Sequence, residues 1–256
     1  MAFEQLLVER SGPVMWLTLN RPDEANAISM ALAEEFCAAV EQAEADPVCH
    51  VLVISGAGKF FCAGGDVAMM AGAPDPAEFL GRLAGKMHEG LLLLAGSRLV
   101  TISAVNGYAA GAGFGLVLNS DIVLATPKAG FLTAYGAVGL TPDCGVSYLL
   151  PKVVGPRRAA QMTLLGRGAS AAEGMEWGIV TELVAEGDLA PRARELAETL
   201  GNGPTQVLGP AKRLLAEGRA REYAGHLADE RATIALLVAH PDSQKRSAAF
   251  AARKNG

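Results

Sequence analysis

Short apolar runs separated by turn signals recur through the first two-thirds of the chain, and they predict strands. Residues 3–8 and 14–19 form two such runs, joined by Ser11-Gly12-Pro13, which is typical of a hairpin turn. The wholly apolar run at 51–54 predicts a buried strand. Further strands are expected at 100–105, 122–125, 130–133 and 179–184.

Apolar residues between these runs recur at helical spacing. Ser29 is a favoured cap for a helix in which Leu32 and Phe36 share one face, with glutamates largely on the opposite face. Helical patterns follow at 77–94, from 146, at 156–165, at 170–177 and over most of the chain from 188 onward. This order predicts an α/β protein with a body at 1–195 and a helical C-terminal region at 196–256.

The stretch from Ser103 to Asp121 carries the densest glycine signal, with glycine at positions 107, 111, 113 and 115. It predicts a strand, a tight turn and the start of a buried helix, whose first N–H groups have no partner inside the helix. Those groups could hold a partly negative oxygen at the positive end of the helix dipole, or the small residues could serve tight packing alone. A dinucleotide-binding loop fits poorly, because Leu116 occupies the position of the third glycine.

Three further features are candidates for a functional site, although each also has an ordinary structural explanation. The loop at 55–66 is rich in glycine around an apolar Phe-Phe-Cys core that favours burial, and Asp66 could simply cap the next helix. The loop at 135–145 contains Asp143, which follows a proline as a turn residue or helix cap would. His88 is alone on a largely apolar helix, where a histidine is more often structural.

Composition and charge exclude several classes of function. Half of the residues are hydrophobic, enough for a substantial core, and a net charge of −5 offers no basic surface for nucleic acid. The N-terminal residues include Glu4 and Glu9 and lack a basic segment before a long apolar stretch, so we expect no signal peptide. The glycine-rich central run is too short and too weakly apolar for a membrane span. The cysteines have no metal-type spacing, which favours a reduced, cytoplasmic protein without a bound metal.

Taken together, the two glycine loops and the Asp143 loop resemble the crotonase family, also called the enoyl-CoA hydratase/isomerase superfamily. Each motif is weak alone, and their order along nearly the whole chain makes the resemblance specific. The matching segments are Asn20-Arg21-Pro22, Asn26-Ala27, Phe61 to Asp66, Ala104 to Gly113, Asp121-Ile122, Gly139-Leu140, Gly155, Ala171-Ala172-Glu173, Trp177 to Val180 and Phe250.

The resemblance implies a crotonase-type right-handed spiral of strand–strand–helix turns, with a helical C-terminal region used to assemble a homotrimer or a hexamer of two trimers. It implies acyl-CoA thioester substrates, with coenzyme A as part of the substrate and no separate cofactor. The thioester carbonyl would accept the main-chain N–H groups of Gly65 and Ala112. Coenzyme A contacts map to Asn26, Cys62, Ala63, Phe250 and Lys254, of which the last two would reach a neighbouring subunit's coenzyme.

Two positions depart from the hydratases of this family, which activate water with two glutamates. This chain has Gly115 and Tyr135 at those positions, and neither residue can act as a carboxylate base. We therefore expect Gly115, Tyr135 and His88 to line the substrate site, and ordinary syn-hydration to be slow or absent.

Asp143 remains as the candidate catalytic group. Its position resembles the catalytic aspartate of ring-1,2-epoxyphenylacetyl-CoA isomerases. It also resembles the nucleophilic aspartate of 4-chlorobenzoyl-CoA dehalogenase, in which a histidine and a tryptophan match His88 and Tyr135. The leading expectation is an enoyl-CoA or ring-epoxide acyl-CoA isomerase with Asp143 as base and an enolate held by Gly65 and Ala112. The alternatives are dehalogenase-like chemistry with Asp143 as nucleophile, and an acyl-CoA-binding protein that has lost catalysis.

Overall fold

The computed structural model describes residues 3–218 and 221–253. Its strands are β1 Leu6–Ser11, β2 Val14–Leu19, β3 Val51–Gly56, β4 Val100–Val105, β5 Tyr108–Ala110, β6 Ile122–Ala125, β7 Gly130–Leu132, β8 Ala169–Ser170 and β9 Glu182–Leu183. Its helices are α1 Met30–Ala45, α2 Val67–Gly72, α3 Pro76–Gly96, α4 Ala112–Leu118, α5 Val146–Val154, α6 Pro156–Leu164, α7 Ala171–Trp177, α8 Leu189–Gly201, α9 Thr205–Glu217, α10 Tyr223–Val238 and α11 Pro241–Arg253.

The strands form two sheets that the chain visits in alternation. The larger sheet has the order β1-β2-β3-β4-β6-β9, antiparallel between β1 and β2 and parallel between the other neighbours. The smaller sheet contains β5, β7 and β8. Because β4 leads into β5 and then α4, and β6 leads into β7, successive strands join different sheets before the chain turns into a helix. The predicted α/β fold with a helical C-terminal region is confirmed.

The core occupies both faces of the larger sheet, as the alternation of side chains along β3 requires. Leu52 and Ile54 belong to the main buried cluster, which includes Phe36 of α1. Val53 points to a second cluster, which is covered by α8 through Ala193 and others. Residues 51–54 of β3 are thus buried on both faces of the sheet, as their wholly apolar run predicts.

The predicted strand at 179–184 is shorter in the structure, where only β9 pairs with β6. The N–H groups of Ile179 and Val180 both donate to the Gly174 carbonyl, at 2.8 and 3.0 Å, and so close the end of α7 instead of joining a sheet. Their apolar character is explained by burial rather than by strand pairing. Conversely, β5 lies in the stretch predicted as a turn, because its three residues are held by their pairing with β7.

The predicted boundary between body and C-terminal region, at 195/196, falls inside α8. Since α8 packs on the larger sheet through Ala193 and Ala197, it belongs with the body, which therefore extends to the end of α8 at Gly201. α9 is tied back to the body by Lys212, whose ammonium group lies 2.9 Å from Asp121 Oδ2. In the described ranges, no helix combines the length and apolar character needed to cross a membrane.

Asn26 is a buried polar residue that shapes the loop after β3. Its φ is 56° and its side chain is inaccessible to solvent. Its side-chain nitrogen donates to the carbonyls of Ala57, Phe60 and Phe61 at 2.9, 2.8 and 3.2 Å, and its Oδ1 accepts the Arg21 N–H at 2.9 Å. The expectation that Asn26 itself contacts coenzyme A is corrected, because its side chain is buried and fully engaged in holding this loop.

We predict that Asn26→Ala lowers the free energy of unfolding by about 3 kcal/mol or more, because three carbonyls lose a partner and each buried unsatisfied group costs ~1–3 kcal/mol. Urea denaturation measures the change. Asn202→Ala is the matched control, since within the described ranges the Asn202 side chain bonds the single Glu198 carbonyl near the exposed end of α8, and its effect should stay within about 0.5 kcal/mol. Equal losses in the two variants would contradict the role of Asn26.

Candidate active site

Two glycine-rich loops meet where they leave β3 and β4. The N–H of Cys62 donates to the Tyr108 carbonyl at 3.2 Å, and the Cys62 carbonyl accepts the Ala110 N–H at 2.9 Å. Gly64 then passes so close to β5 that an added Cβ would lie 2.9 Å from the Ala110 oxygen. Its φ of 97° also lies in the left-handed region that favours glycine. The glycines therefore serve close packing, and that packing brings the ends of the two loops together.

This contact leaves two backbone N–H groups without acceptors. Ile28 pairs with the first loop through the Gly64 carbonyl and the Asp66 N–H, at 2.7 and 3.0 Å. This pairing leaves the N–H of Gly65, between them, without a partner. Ala112 opens α4, and a helix supplies no acceptor for its own first N–H groups. Within the described ranges, neither N–H has a hydrogen-bond acceptor, so both can donate to an oxygen from outside the protein.

Gly65 and Ala112 line a cavity of ≈810 Å³. Its aliphatic lining residues include Val67, Met70, Leu80, Leu83, Met87, Val138 and Leu140. The charged residues of the wall, among those described, are Asp66 and Asp143. The Asp66 carboxylate is already engaged, because it caps α2 through the Met69 N–H at 3.0 Å and pairs with Arg21 at 3.0 Å. Asp143 is the carboxylate left to act on a bound molecule.

Asp143 is held by Tyr135, which comes from the short 3-10 turn Tyr135–Val138. The phenol donates to Asp143 Oδ1 at 2.6 Å. Burial raises the pKa of Tyr135 well above its ordinary value, and the neighbouring Asp143 charge raises it further. The phenol therefore stays protonated at neutral pH, where it donates to the carboxylate and cannot act as a base.

Cys144 is a site residue that the sequence patterns did not single out. It is 1% exposed, lines the cavity and has a φ of 48°, unusual for a residue with a Cβ. Burial raises the pKa of its thiol, and the adjacent Asp143 raises it further, so the thiol stays neutral. Its N–H donates to His88 Nε2 at 3.1 Å, which places His88 of α3 beside the Asp143 loop. His88 is not among the residues that line the cavity, so the expectation that it lines the substrate site is corrected: its Nε2 is directed at the Cys144 peptide. The following Gly145 also has a left-handed φ, of 77°, which the glycine signals in the sequence.

His88, Asp143 and Cys144 each bring a potential metal ligand within 4.8 Å of the others. A metal would need the thiolate form of the cysteine and a free imidazole nitrogen. The raised pKa of Cys144 opposes the thiolate, and His88 Nε2 already accepts a backbone N–H. The arrangement fits a hydrogen-bonded cluster better than a metal site.

Gly115 does not line the cavity, which corrects the expectation for this position. It is buried in α4, and an added Cβ would lie 2.7 Å from the Cys144 Cβ and 2.8 Å from the Cys144 carbonyl oxygen. Cys144 thus fills the space into which a side chain at 115 would project, and it takes the place of Gly115 in the cavity wall.

The predicted coenzyme A positions separate into different environments. Ala63 is exposed and lines the cavity. Cys62 is fully buried with its N–H and carbonyl bonded between the two loops, so the expectation of a contact from Cys62 is corrected; burial also raises the pKa of its thiol to about 12. Phe250 and Lys254 lie outside the residues whose side chains the structure describes.

We predict that Gly115→Ala destabilises the protein by about 1–3 kcal/mol, the typical cost of adding atoms to a packed interior. Gly85→Ala in α3 is the matched control, because a Cβ there meets nothing within 4 Å, and it should stabilise by up to about 1 kcal/mol through helix propensity. Thermal or urea unfolding of both variants gives the comparison. A stable Gly115→Ala protein would mean that Cys144 can move aside without cost.

Comparison with known proteins identifies the family of the chain. The family model described as Enoyl-CoA hydratase/isomerase matches residues 9–255. The chain is 36% identical over 244 residues to the 1,2-epoxyphenylacetyl-CoA isomerase of Escherichia coli (strain K12), across 94% of this chain and 93% of the relative. It is 31% identical over 249 residues to the 4-chlorobenzoyl coenzyme A dehalogenase-2 of Arthrobacter sp, across 96% of this chain and 90% of the relative. The crystal structure of an enoyl-CoA hydratase from Bacillus anthracis matches with a TM-score of 0.92 at 26% identity, across 98% of this chain and 97% of that one. The chain therefore belongs to the enoyl-CoA hydratase/isomerase family of acyl-CoA enzymes.

Proposed function

We propose that this enzyme is an isomerase that moves a proton along an unsaturated or ring-epoxide acyl-CoA, with Asp143 as the base. One observation carries the proposal. The Asp143 carboxylate, oriented by the Tyr135 phenol at 2.6 Å and without a cationic partner among the described residues, lines the same cavity as two backbone N–H groups that have no acceptor there.

The reaction begins with the thioester oxygen of the substrate accepting the N–H groups of Gly65 and Ala112. Asp143 removes a proton from a carbon next to the double bond, and the electron pair moves onto the thioester oxygen as a dienolate. The two N–H groups stabilise that oxygen where the charge develops, and one such donor is typically worth about 2.7–4 kcal/mol of barrier. The protonated Asp143 then returns the proton two carbons away, which regenerates the carboxylate and shifts the double bond.

Tyr135 supports a one-carboxylate mechanism rather than a hydration. Its raised pKa makes it a permanent hydrogen-bond donor, so it orients Asp143 without exchanging protons itself. Syn-hydration needs a second acid–base group, and the position that would supply it is Gly115, where Cys144 fills the space. A Gly115→Glu, Tyr135→Glu double variant is therefore not expected to gain hydration, because the new glutamate at 115 has no room.

The identity of the acyl group is part of the proposal. The cavity wall is largely aliphatic, and its charged lining residues among those described are both acidic, which favours an uncharged acyl group. The similarity to an epoxyphenylacetyl-CoA isomerase adds ring-bearing substrates to the linear enoyl-CoA thioesters worth testing. We propose coenzyme A as part of the substrate, with no separate cofactor or metal, and a cytoplasmic location.

A second candidate is dehalogenase-like chemistry, in which Asp143 attacks an aryl-CoA as a nucleophile. The observation that favours it is the position of His88, whose Nε2 lies beside the Asp143 loop. The same hydrogen bond weakens it, because the Nε2 lone pair that would take a proton from water is engaged with the Cys144 N–H. A covalent aspartyl intermediate trapped by mass spectrometry would favour this candidate over the isomerase. A third candidate, an acyl-CoA-binding protein without catalysis, would give binding but no turnover.

We predict that Asp143→Asn lowers isomerase turnover by about 100-fold to 10,000-fold, the usual effect of losing a positioned general base. Binding of a saturated acyl-CoA should change little, because the carboxylate is not needed for contacts to the coenzyme. Ultraviolet absorbance of the conjugated product follows turnover on a β,γ-enoyl-CoA, and calorimetry follows binding.

Asp66→Asn is the control for removing a carboxylate from the same cavity. It should act mainly on stability, since Asp66 caps α2 and pairs with Arg21. Crotonyl-CoA should be hydrated slowly or not at all by the unmodified enzyme. If Asp143→Asn keeps near-normal turnover on the best substrate, the base lies elsewhere and the isomerase proposal fails.

We also predict a homotrimer, or a hexamer of two trimers. α10 has no buried residue, and its Ile234, Leu236 and Val238 are 68%, 76% and 58% exposed, an apolar surface that a second copy would cover. Light scattering at micromolar concentration measures the assembly. Leu236→Glu should weaken it, whereas Glu230→Gln on the same helix should leave it unchanged. A monomeric unmodified protein would rule the assembly out.

A further inference from the structure

The peptide groups around Cys144 are held from both sides by side chains of two different helices. The Cys144 N–H donates to Nε2 of His88, on α3, at 3.1 Å. The Cys144 carbonyl accepts from Nδ2 of Asn119, at the end of α4, at 3.2 Å. Asn119 also bonds the Gly115 carbonyl of its own helix at 2.8 Å, which fixes its orientation.

This part of the chain needs such support. Cys144 and Gly145 have φ values of 48° and 77°, so the chain makes two consecutive left-handed steps between Asp143 and α5. A residue with a Cβ adopts that conformation only when its surroundings stabilise it. Cys144 is 1% exposed, so without His88 its N–H would be a buried donor with no water to replace the lost acceptor.

The position of the Asp143 carboxylate depends on this same peptide. Tyr135 holds one carboxylate oxygen at 2.6 Å, but the direction in which the Asp143 side chain leaves the backbone is set by the peptide that joins it to Cys144. The nitrogen of that peptide is the one that bonds His88. A shift at Cys144 would therefore turn the carboxylate away from the carbon that it must reach.

His88 holds the Cys144 peptide by accepting a hydrogen bond. For Nε2 to accept the Cys144 N–H, it carries no proton, and its lone pair is directed at the peptide. The same lone pair cannot remove a proton from water or substrate while it holds the loop. His88 could therefore act either as a hydrogen-bond acceptor that holds the loop or as a base, but not as both at once. Replacement by a side chain that accepts a hydrogen bond and is not a base distinguishes the two roles.

We propose that His88 is a positioning residue, which sets the direction of the Asp143 carboxylate by accepting the N–H of Cys144. The catalytic consequence rests on the proposed function, in which Asp143 is the base. The hydrogen bond itself does not, and it can be measured without any substrate.

The test compares His88→Ala with His88→Gln, because the glutamine side-chain oxygen can reach the place of Nε2 and accept the same N–H without being a base. We expect kcat of His88→Ala to fall by about 100-fold with little change in KM, as expected for misplacing a reacting group by about 1 Å. His88→Gln should recover most of this loss. Glu89→Ala is the control on α3, since Glu89 is exposed and, among the described residues, forms its ion pair with Lys86 at the surface, and it should leave both constants unchanged.

Amide exchange gives the independent readout. Labelling with 15N-cysteine gives four amide signals, and the Cys144 signal is assigned with Cys144→Ser. The Cys144 amide should be protected in the unmodified enzyme and in His88→Gln, and should exchange faster in His88→Ala. Unchanged protection in His88→Ala would overturn the proposal whatever the activity shows.

The kinetic outcomes also separate this proposal from the function on which it rests. A His88→Gln enzyme as inactive as His88→Ala, with its Cys144 amide still protected, would mean that His88 acts as a base, and would overturn the positioning role. If Asp143→Asn retains turnover, the proposed function fails, while the exchange measurement still decides whether His88 holds Cys144.

Discussion

Direct contact between the backbones of the two glycine loops is the constraint on which the rest of the site depends. A Cβ on Gly107 would lie 2.0 Å from the Lys59 carbonyl oxygen, and one on Gly113 would lie 2.4 Å from that of Cys62. Any larger residue at these positions would push the loops apart and separate the two free N–H groups. Glycine is required at positions 107 and 113 because a Cβ would not fit between the two loops. An unusual backbone angle is not the reason at these two positions.

The two halves of the site are built in different ways. The N–H groups of Gly65 and Ala112 are fixed by backbone packing before any substrate arrives, as electrostatic preorganisation requires. The carboxylate of Asp143 is placed by side chains that come from other segments, among them Tyr135 and His88. A change of side chain can therefore alter the surroundings of Asp143 while the two N–H groups stay in place, which is how one fold can carry several reactions.

The sequence predicted those parts of the site that depend on local patterns. Glycine spacing and turn chemistry were sufficient to identify both loops, and the apolar runs predicted most of the strands. The role of Asn26 was missed because its acceptors lie 31 to 35 residues further along the chain, and Cys144 was missed because the partner of its N–H is 56 residues away. The apolar residues Ile179 and Val180 were interpreted as part of a strand, since burial in a helix-ending turn and burial in a sheet leave the same hydrophobic pattern.

The buried state of the cysteines has a consequence for how this protein can be observed. All four thiols are free and buried, and burial is the leading cause that raises the pKa of each. A protonated, inaccessible thiol reacts slowly with alkylating reagents and oxidants, so modification must wait for the surrounding structure to open. Cys62 lies at the junction of the two glycine loops and Cys144 lies next to Asp143. The alkylation rates of these two thiols would therefore report how often each half of the site opens.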